Sequence, residues 1–220
     1  MNKDWSELNS HMQKQLKKVT FIEGINSLLE LRETLMNEIL SWRNILQNED
    51  YYAIPFINAN GYHSKTIAYS LWHIFRIEDI VVNTLIKNNE QIFFKENYQR
   101  KINSSIITTG NELVKENVAE FSKKLDIDEL HNYIFSVKTA TDIWIKTIDF
   151  CELSRKFGLD EINKIKQLKV VSTYENARWL IDYWCNKDVK GIIKMPLSRH
   201  WIMHIEASIR IIKGLKKVTI

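Results

Sequence analysis

The stretch "RHWIMHIEASIRI", residues 199–211, sets His200 and His204 four positions apart in a segment otherwise patterned as a buried helix. At about 100° per residue, His200, His204, Ala207 and Ile211 fall within about 40° of one line, so both imidazoles lie on the face that must turn inward. Separated by about 6 Å along the axis, they can bring ring nitrogens within about 2.1 Å of one divalent ion. A third inward-facing histidine is His73 in "LWHIFRIEDI", whose stripe also carries Tyr69, Ser70, Ile77, Ile80 and Thr84. Three imidazoles from two helices could form a tripod on one side of a metal and leave positions open for water or substrate. The competing reading is packing: a lone core histidine is more often a hydrogen-bonded structural residue. Two on one face are harder to place, since each must find partners or bear a desolvation cost. Residue 201 is Trp, so "HWIMH" lacks the glutamate of a metalloprotease helix.

The other histidines offer less. His11 lies in a polar N-terminal segment, His63 precedes the helix of His73 as a solvent-exposed loop residue, and His131 is expected to be solvated or at a helix boundary. Tyr69, Trp72 and Trp201 lie near the proposed ligands; Tyr69 could line a pocket and donate a hydrogen bond there, although tryptophans in a helical core are mostly packing material. Arg76, about 60° around the helix from His73, could border the pocket and attract an anionic substrate. Glu78 and Asp79 point more than about 100° away from His73 and suit interhelical salt bridges or cap contacts.

Long amphipathic helices must position these groups. A period close to 3.6 places Ile22, Ile25, Leu28, Leu29, Leu35, Ile39, Trp42 and Leu46 on one stripe of residues 21–46. A second helix is predicted over 63–86, with Ser64 or Thr66 as N-cap, and a third over 126–150, with Leu130, Ile134, Val137, Trp144 and Ile148 inward. The last begins near Pro196, a residue suited to a first turn, and runs to about 216. Shorter helices are expected in 111–125, capped by Thr108 or Thr109, and around 159–168 and 173–186. Only six glycines and two prolines occur, and Gly61, Gly110, Gly158 and Gly191 fall where the pattern breaks. This composition predicts an all-α fold. Four long helices with apolar stripes are most simply buried as a four-helix bundle, in one domain spanning residues 1–220.

The formal charge of +4 is spread along helices whose Lys and Asp/Glu are interspersed, and no nucleic-acid motif accompanies it. The basic run "KGLKK", 213–217, reads as a solvated helix end. No apolar run approaches the 18 or so residues a membrane span needs, and Cys151 and Cys185 have neither metal-ligand nor redox spacing. A cytoplasmic protein with free thiols and no nucleic-acid or membrane partner is expected.

Together, "TIAYSLWHIFRIEDI", 66–80, and "MPLSRHWIMHIEASIRI", 195–211, resemble the ligand helices of the DinB/YfiT family of metal-dependent enzymes. The likeness is strong over those two helices and extends to the rest of the chain in helix order and length. It implies a four-helix bundle of up-down-down-up connectivity with extra short helices in the crossovers. It also implies a divalent metal held by His73, His200 and His204. Zinc or nickel suits such all-nitrogen ligation best, with iron, cobalt or manganese also compatible. Relatives of known activity use a low-molecular-weight thiol such as mycothiol or bacillithiol in transfer or isomerisation, and others resemble hydrolases. The resemblance therefore implies a small-molecule substrate, and a homodimer formed through outer helix faces is compatible with it. The family's frequent His-x3-His-x-Gly-Gln pattern departs here, with Glu206 and Ala207 in the corresponding stretch. The alternative is a non-catalytic bundle whose metal only staples two helices, acting in stress response or as a binding protein.

Overall fold

A computed structural model describes residues 2–218. Among them the chain is helical, without β-strands; one isolated antiparallel bridge joins Lys156 to Asp188. We number the principal helices α1 (Lys3–Gln15), α2 (Phe21–Trp42), α3 (Ile67–Asp79), α4 (Glu116–Lys123), α5 (Ile127–Thr147), α6 (Leu159–Gln167), α7 (Glu175–Cys185), α8 (Val189–Lys194) and α9 (His200–Val218). Two π-helical segments extend the ligand-bearing elements: Ile80–Ile86 continues α3, and Met195–Arg199 leads into α9 with Pro196 in its first turn.

The caps follow from the sequence. Thr66 Oγ1 accepts the Tyr69 backbone N–H at 3.0 Å, and Asp126 accepts that of Glu129 at 3.0 Å, each satisfying a donor that a helix start otherwise leaves orphaned. Residues 108 and 109 do not cap a helix as expected. The helix in that region begins only at Glu116, after Lys115 in a positive-φ conformation, and the two threonines belong instead to a loop that runs past His73. The polar N-terminus, for which the spacing predicts no element, is helical. It forms α1, capped by Asn2, with Trp5, Asn9, Met12 and Leu16 buried against α2. Ile22, placed by its spacing on the inward stripe of α2, is 67% exposed because the buried face is set by Phe21, Ile25 and Leu28. Lys213 and Lys216 are exposed, and the Lys217 side chain lies outside the described residues.

A polar layer divides the interior. Along α2 the buried residues up to Leu28 belong to one apolar cluster and those from Leu31 to another; on α3 the change falls between Phe75 and Ile77, and on α5 between Val137 and Ile145. At that level Arg32, fully buried, donates Nη1 and Nη2 to Glu78 at 2.9 and 2.8 Å, Nε to Asp142 at 2.6 Å, and Nη1 also to the Leu197 carbonyl at 3.1 Å. Lys138 extends the layer to Asp142 at 2.9 Å and Glu33 at 2.6 Å. Burial works against the guanidinium's charge, but the adjacent Glu78 and Asp142 outweigh it and hold its pKa above the ordinary value. Burial pushes the Glu78 carboxyl up, opposed by the adjacent Arg32 and the hydrogen bonds it accepts. The salt-bridge role expected of Glu78 is met here. Asp79 acts as a cap, accepting the backbone N–H groups of Ile92 and Phe93, each at 2.9 Å, and the Tyr133 hydroxyl at 3.0 Å.

Candidate metal centre

Helices α3 and α9 pack against each other and bring His73, His200 and His204 together, all buried. Ring centroids lie 5.1 Å apart for His73–His200, 4.9 Å for His73–His204 and 4.7 Å for His200–His204. One nitrogen from each falls within 4.8 Å of the others. A tetrahedral ion with bonds of about 2.1 Å wants its donors roughly 3.4 Å apart, a difference that small χ rotations cover.

The protonation state of His73 follows from its partner. Its Nδ1 lies 2.5 Å from the Thr109 carbonyl; a carbonyl can only accept, so Nδ1 carries the proton and Nε2 presents a lone pair. This is the usual outer support of a ligating imidazole. The supporting loop is fixed by Gly110, at φ +77°, where an added Cβ would meet Trp72 at 2.9 Å and Tyr69 at 3.0 Å. Tyr69 stacks on His73 with centroids 5.4 Å apart and planes 11° from parallel, and its hydroxyl donates to the Gly110 carbonyl at 3.0 Å.

The other two imidazoles lack such support. His200 Nδ1 and both nitrogens of His204 are buried without a hydrogen-bond partner. An unpaired buried polar atom costs about 1–3 kcal/mol, so several at one point mark a place where something else is meant to bind. Burial holds His73 down to about 4, and it holds His200 and His204 well below the ordinary histidine value, helped by the neighbouring imidazoles. All three are neutral at physiological pH, the form in which imidazole binds metal. The donor set therefore fits a divalent ion, and among the described residues no fourth histidine, cysteine or carboxylate joins the group.

A cavity of about 200 Å³ opens beside His73 and His200, between α7, the Met195–Arg199 segment and the loop at Asn111. Tyr62 lines it and also sets its ring edge against His204, with centroids 4.7 Å apart.

The remaining expected residues fall elsewhere. Arg76 does not line this cavity: its guanidinium is buried, donates to the Ile107 carbonyl at 2.7 and 3.1 Å, and lies over Phe93. Trp72 packs on Phe121, whereas Trp201 donates its indole N–H to Glu78. His131 is not solvated but only 4% exposed, with Nε2 3.4 Å from the Tyr51 hydroxyl. His63 is half-buried beside Arg210, and His11 is exposed on α1. Cys151 and Cys185 are free, and burial pushes the Cys185 thiol up to about 11, which leaves it no activated nucleophile. The Thr109 carbonyl, Tyr62, Asn111 and the α7 aromatics were not legible as site residues; the only hint was Gly110 as a break in the pattern. No family model matches the chain, and no curated protein matches it in sequence.

Proposed function

We propose that His73, His200 and His204 hold one divalent metal ion, and that the chain is a metal-dependent enzyme of the DinB type acting on a small molecule. In this reading its long helices form the up-down-down-up bundle of that family. The observation that carries the proposal is the meeting of three neutral, buried imidazoles whose nitrogens lie within 4.8 Å and mostly lack protein partners.

Zinc or nickel suits the all-nitrogen set. When bound, such an ion polarises a carbonyl or lowers the pKa of a water or thiol toward neutrality. The chain's own groups supply the rest. Thr109 orients His73 through Nδ1, Tyr69 braces the ring from one face, and the cavity lined by His73 and His200 gives a substrate access to the cluster. A structural metal would call for a closed set of four protein ligands; three histidines beside a cavity favour chemistry. S-transfer from a small thiol and hydrolysis are both reactions of an activated nucleophile, and both fit.

Metal analysis of protein purified without a histidine tag tests this. Wild type should carry about one equivalent, and His73→Ala and His200→Ala should carry almost none. Equal content in all three would refute the proposed ligands.

A further inference from the structure

We propose that the cavity beside the three histidines selects an uncharged small molecule, about one ring in size, with an aromatic or aliphatic body and one neutral polar group. This deepens the proposal of a metal enzyme and rests on it for the reaction, but the selection itself follows from the walls.

Among the described residues no Lys, Arg, Asp or Glu lines the cavity. Its surface is built by Ile77, Leu180, Trp184 and Pro196, with Trp179 also lining it, 48% exposed and its Nε1 held by the Asn176 carbonyl at 2.9 Å. The polar groups present are neutral. Besides the His73 and His200 imidazoles they are the Tyr62 and Tyr183 hydroxyls, the former's pKa raised by burial, and the Asn111 amide, whose Oδ1 is already taken by Thr109 Oγ1 at 2.8 Å. Asn111 thus keeps its NH2 as a donor for a ligand.

Size points the same way. An apolar cavity of about 150 Å³ accepts benzene, so about 200 Å³ accommodates one ring and a substituent. An ionised carboxylate or ammonium brought here would lose its hydration and meet no charged side chain on the walls, since Lys65, which acts on His73 and His204, and Arg199, which acts on Tyr62, are not among the lining residues. The contrast within the molecule is clear: the cavity between α1 and α9 is lined by Lys14, Lys194, Arg199 and Glu206. Charged walls occur on this protein, but not beside the histidines.

The test compares three probes of one shape, benzyl alcohol, benzoate and benzylammonium, by ligand-observed NMR titration of the full chain. Metal is first removed, so that benzoate cannot gain affinity through an ion. Benzyl alcohol should bind saturably and at least tenfold more tightly than either ion. Trp179→Ala, at a half-exposed site, should weaken it severalfold, and the isosteric Asn111→Asp should shift the preference toward benzylammonium. Equal or tighter binding of either ion to wild type, no saturable binding, or indifference to both variants would overturn the proposal. Zinc uptake is measured on the same samples. Wild type that takes up zinc but prefers ions loses only the ligand class; wild type that prefers the alcohol but takes up no zinc loses only the metal reading.

Discussion

The carboxylate of Glu78 accepts the indole N–H of Trp201 at 2.9 Å, tying the helix that carries His73 to the helix that carries His200 and His204. Arg32 completes the tie: it bonds both oxygens of Glu78 and lies 4.4 Å from the centre of the Trp201 ring. Removing Glu78 leaves a buried guanidinium short of its principal counter-ion. Glu78→Ala is therefore expected to cost about 3–5 kcal/mol in urea unfolding. It should also weaken metal binding, because the two ligand helices lose their link. A cost below about 1 kcal/mol, the range of a surface pair, would mean that the ion pair is not formed in solution.

Gly110 is expected to be the most sensitive small residue near the site. Gly110→Ala places a Cβ against Trp72 and Tyr69 in a backbone conformation that L-residues rarely adopt. The displaced loop carries the acceptor of the His73 Nδ1 proton. Loss of such outer support typically lowers metal affinity 10–100-fold, so competition with a chromophoric chelator should read a weakening of that order. Unchanged affinity would show that Thr109 does not orient His73.

Metal should stabilise the fold. At a free concentration 100 times Kd, binding adds about 2.7 kcal/mol, which for a chain of this size raises Tm by roughly 5–11 °C. Calorimetry with and without zinc measures the shift. It should vanish in His204→Ala, whose side chain has both nitrogens unpartnered in the wild type.

Acid should destabilise the protein through buried histidines remote from the site as well as within it. Burial holds His131 down to about 4, with Arg43 adding to the effect and Asp128 opposing it. In the unfolded chain it titrates near 6.5. Between those values the unfolded state binds more protons, so the stability is fully present above about pH 6.5 and is lost as pH falls toward 4. At about 1.4 kcal/mol per unit, His131 contributes up to roughly 3 kcal/mol of that loss. His131→Phe should flatten the stability profile in this window, as followed by urea midpoints from pH 7.5 to 4.5. An unchanged slope would place His131 in water.

Periodicity made much of this legible. The long helices and the inward positions of His73, His200 and His204 follow from spacing alone, and of the two caps the spacing allows, Ser64 and Thr66, the structure uses Thr66. Three kinds of feature did not. Helix α1 buries only three side chains, with Leu16 just after it, in a polar segment, a signal too sparse for its period to show. His131 and Arg76 are buried by short pieces, the five-residue helix Asn48–Tyr52 that bears Tyr51 and the loop bearing Ile107, whose paths no local pattern encodes. The acceptor for His73 is a main-chain carbonyl, which carries no residue identity to read. The cavity wall comes from α7, visible in sequence as a helix but not as a neighbour of the histidines.

The wide turn at Met195–Arg199 governs the rotational phase of everything after it. The His200 backbone N–H reaches back five residues to the Met195 carbonyl instead of four. Deleting one residue there would restore the ordinary ladder and swing Trp201, His200 and His204 around by about 100°, emptying the interior of two imidazoles while leaving composition almost untouched. What aligns the last helix is thus a count, one surplus residue in one loop of backbone, and it is invisible to any comparison that weighs residue types alone.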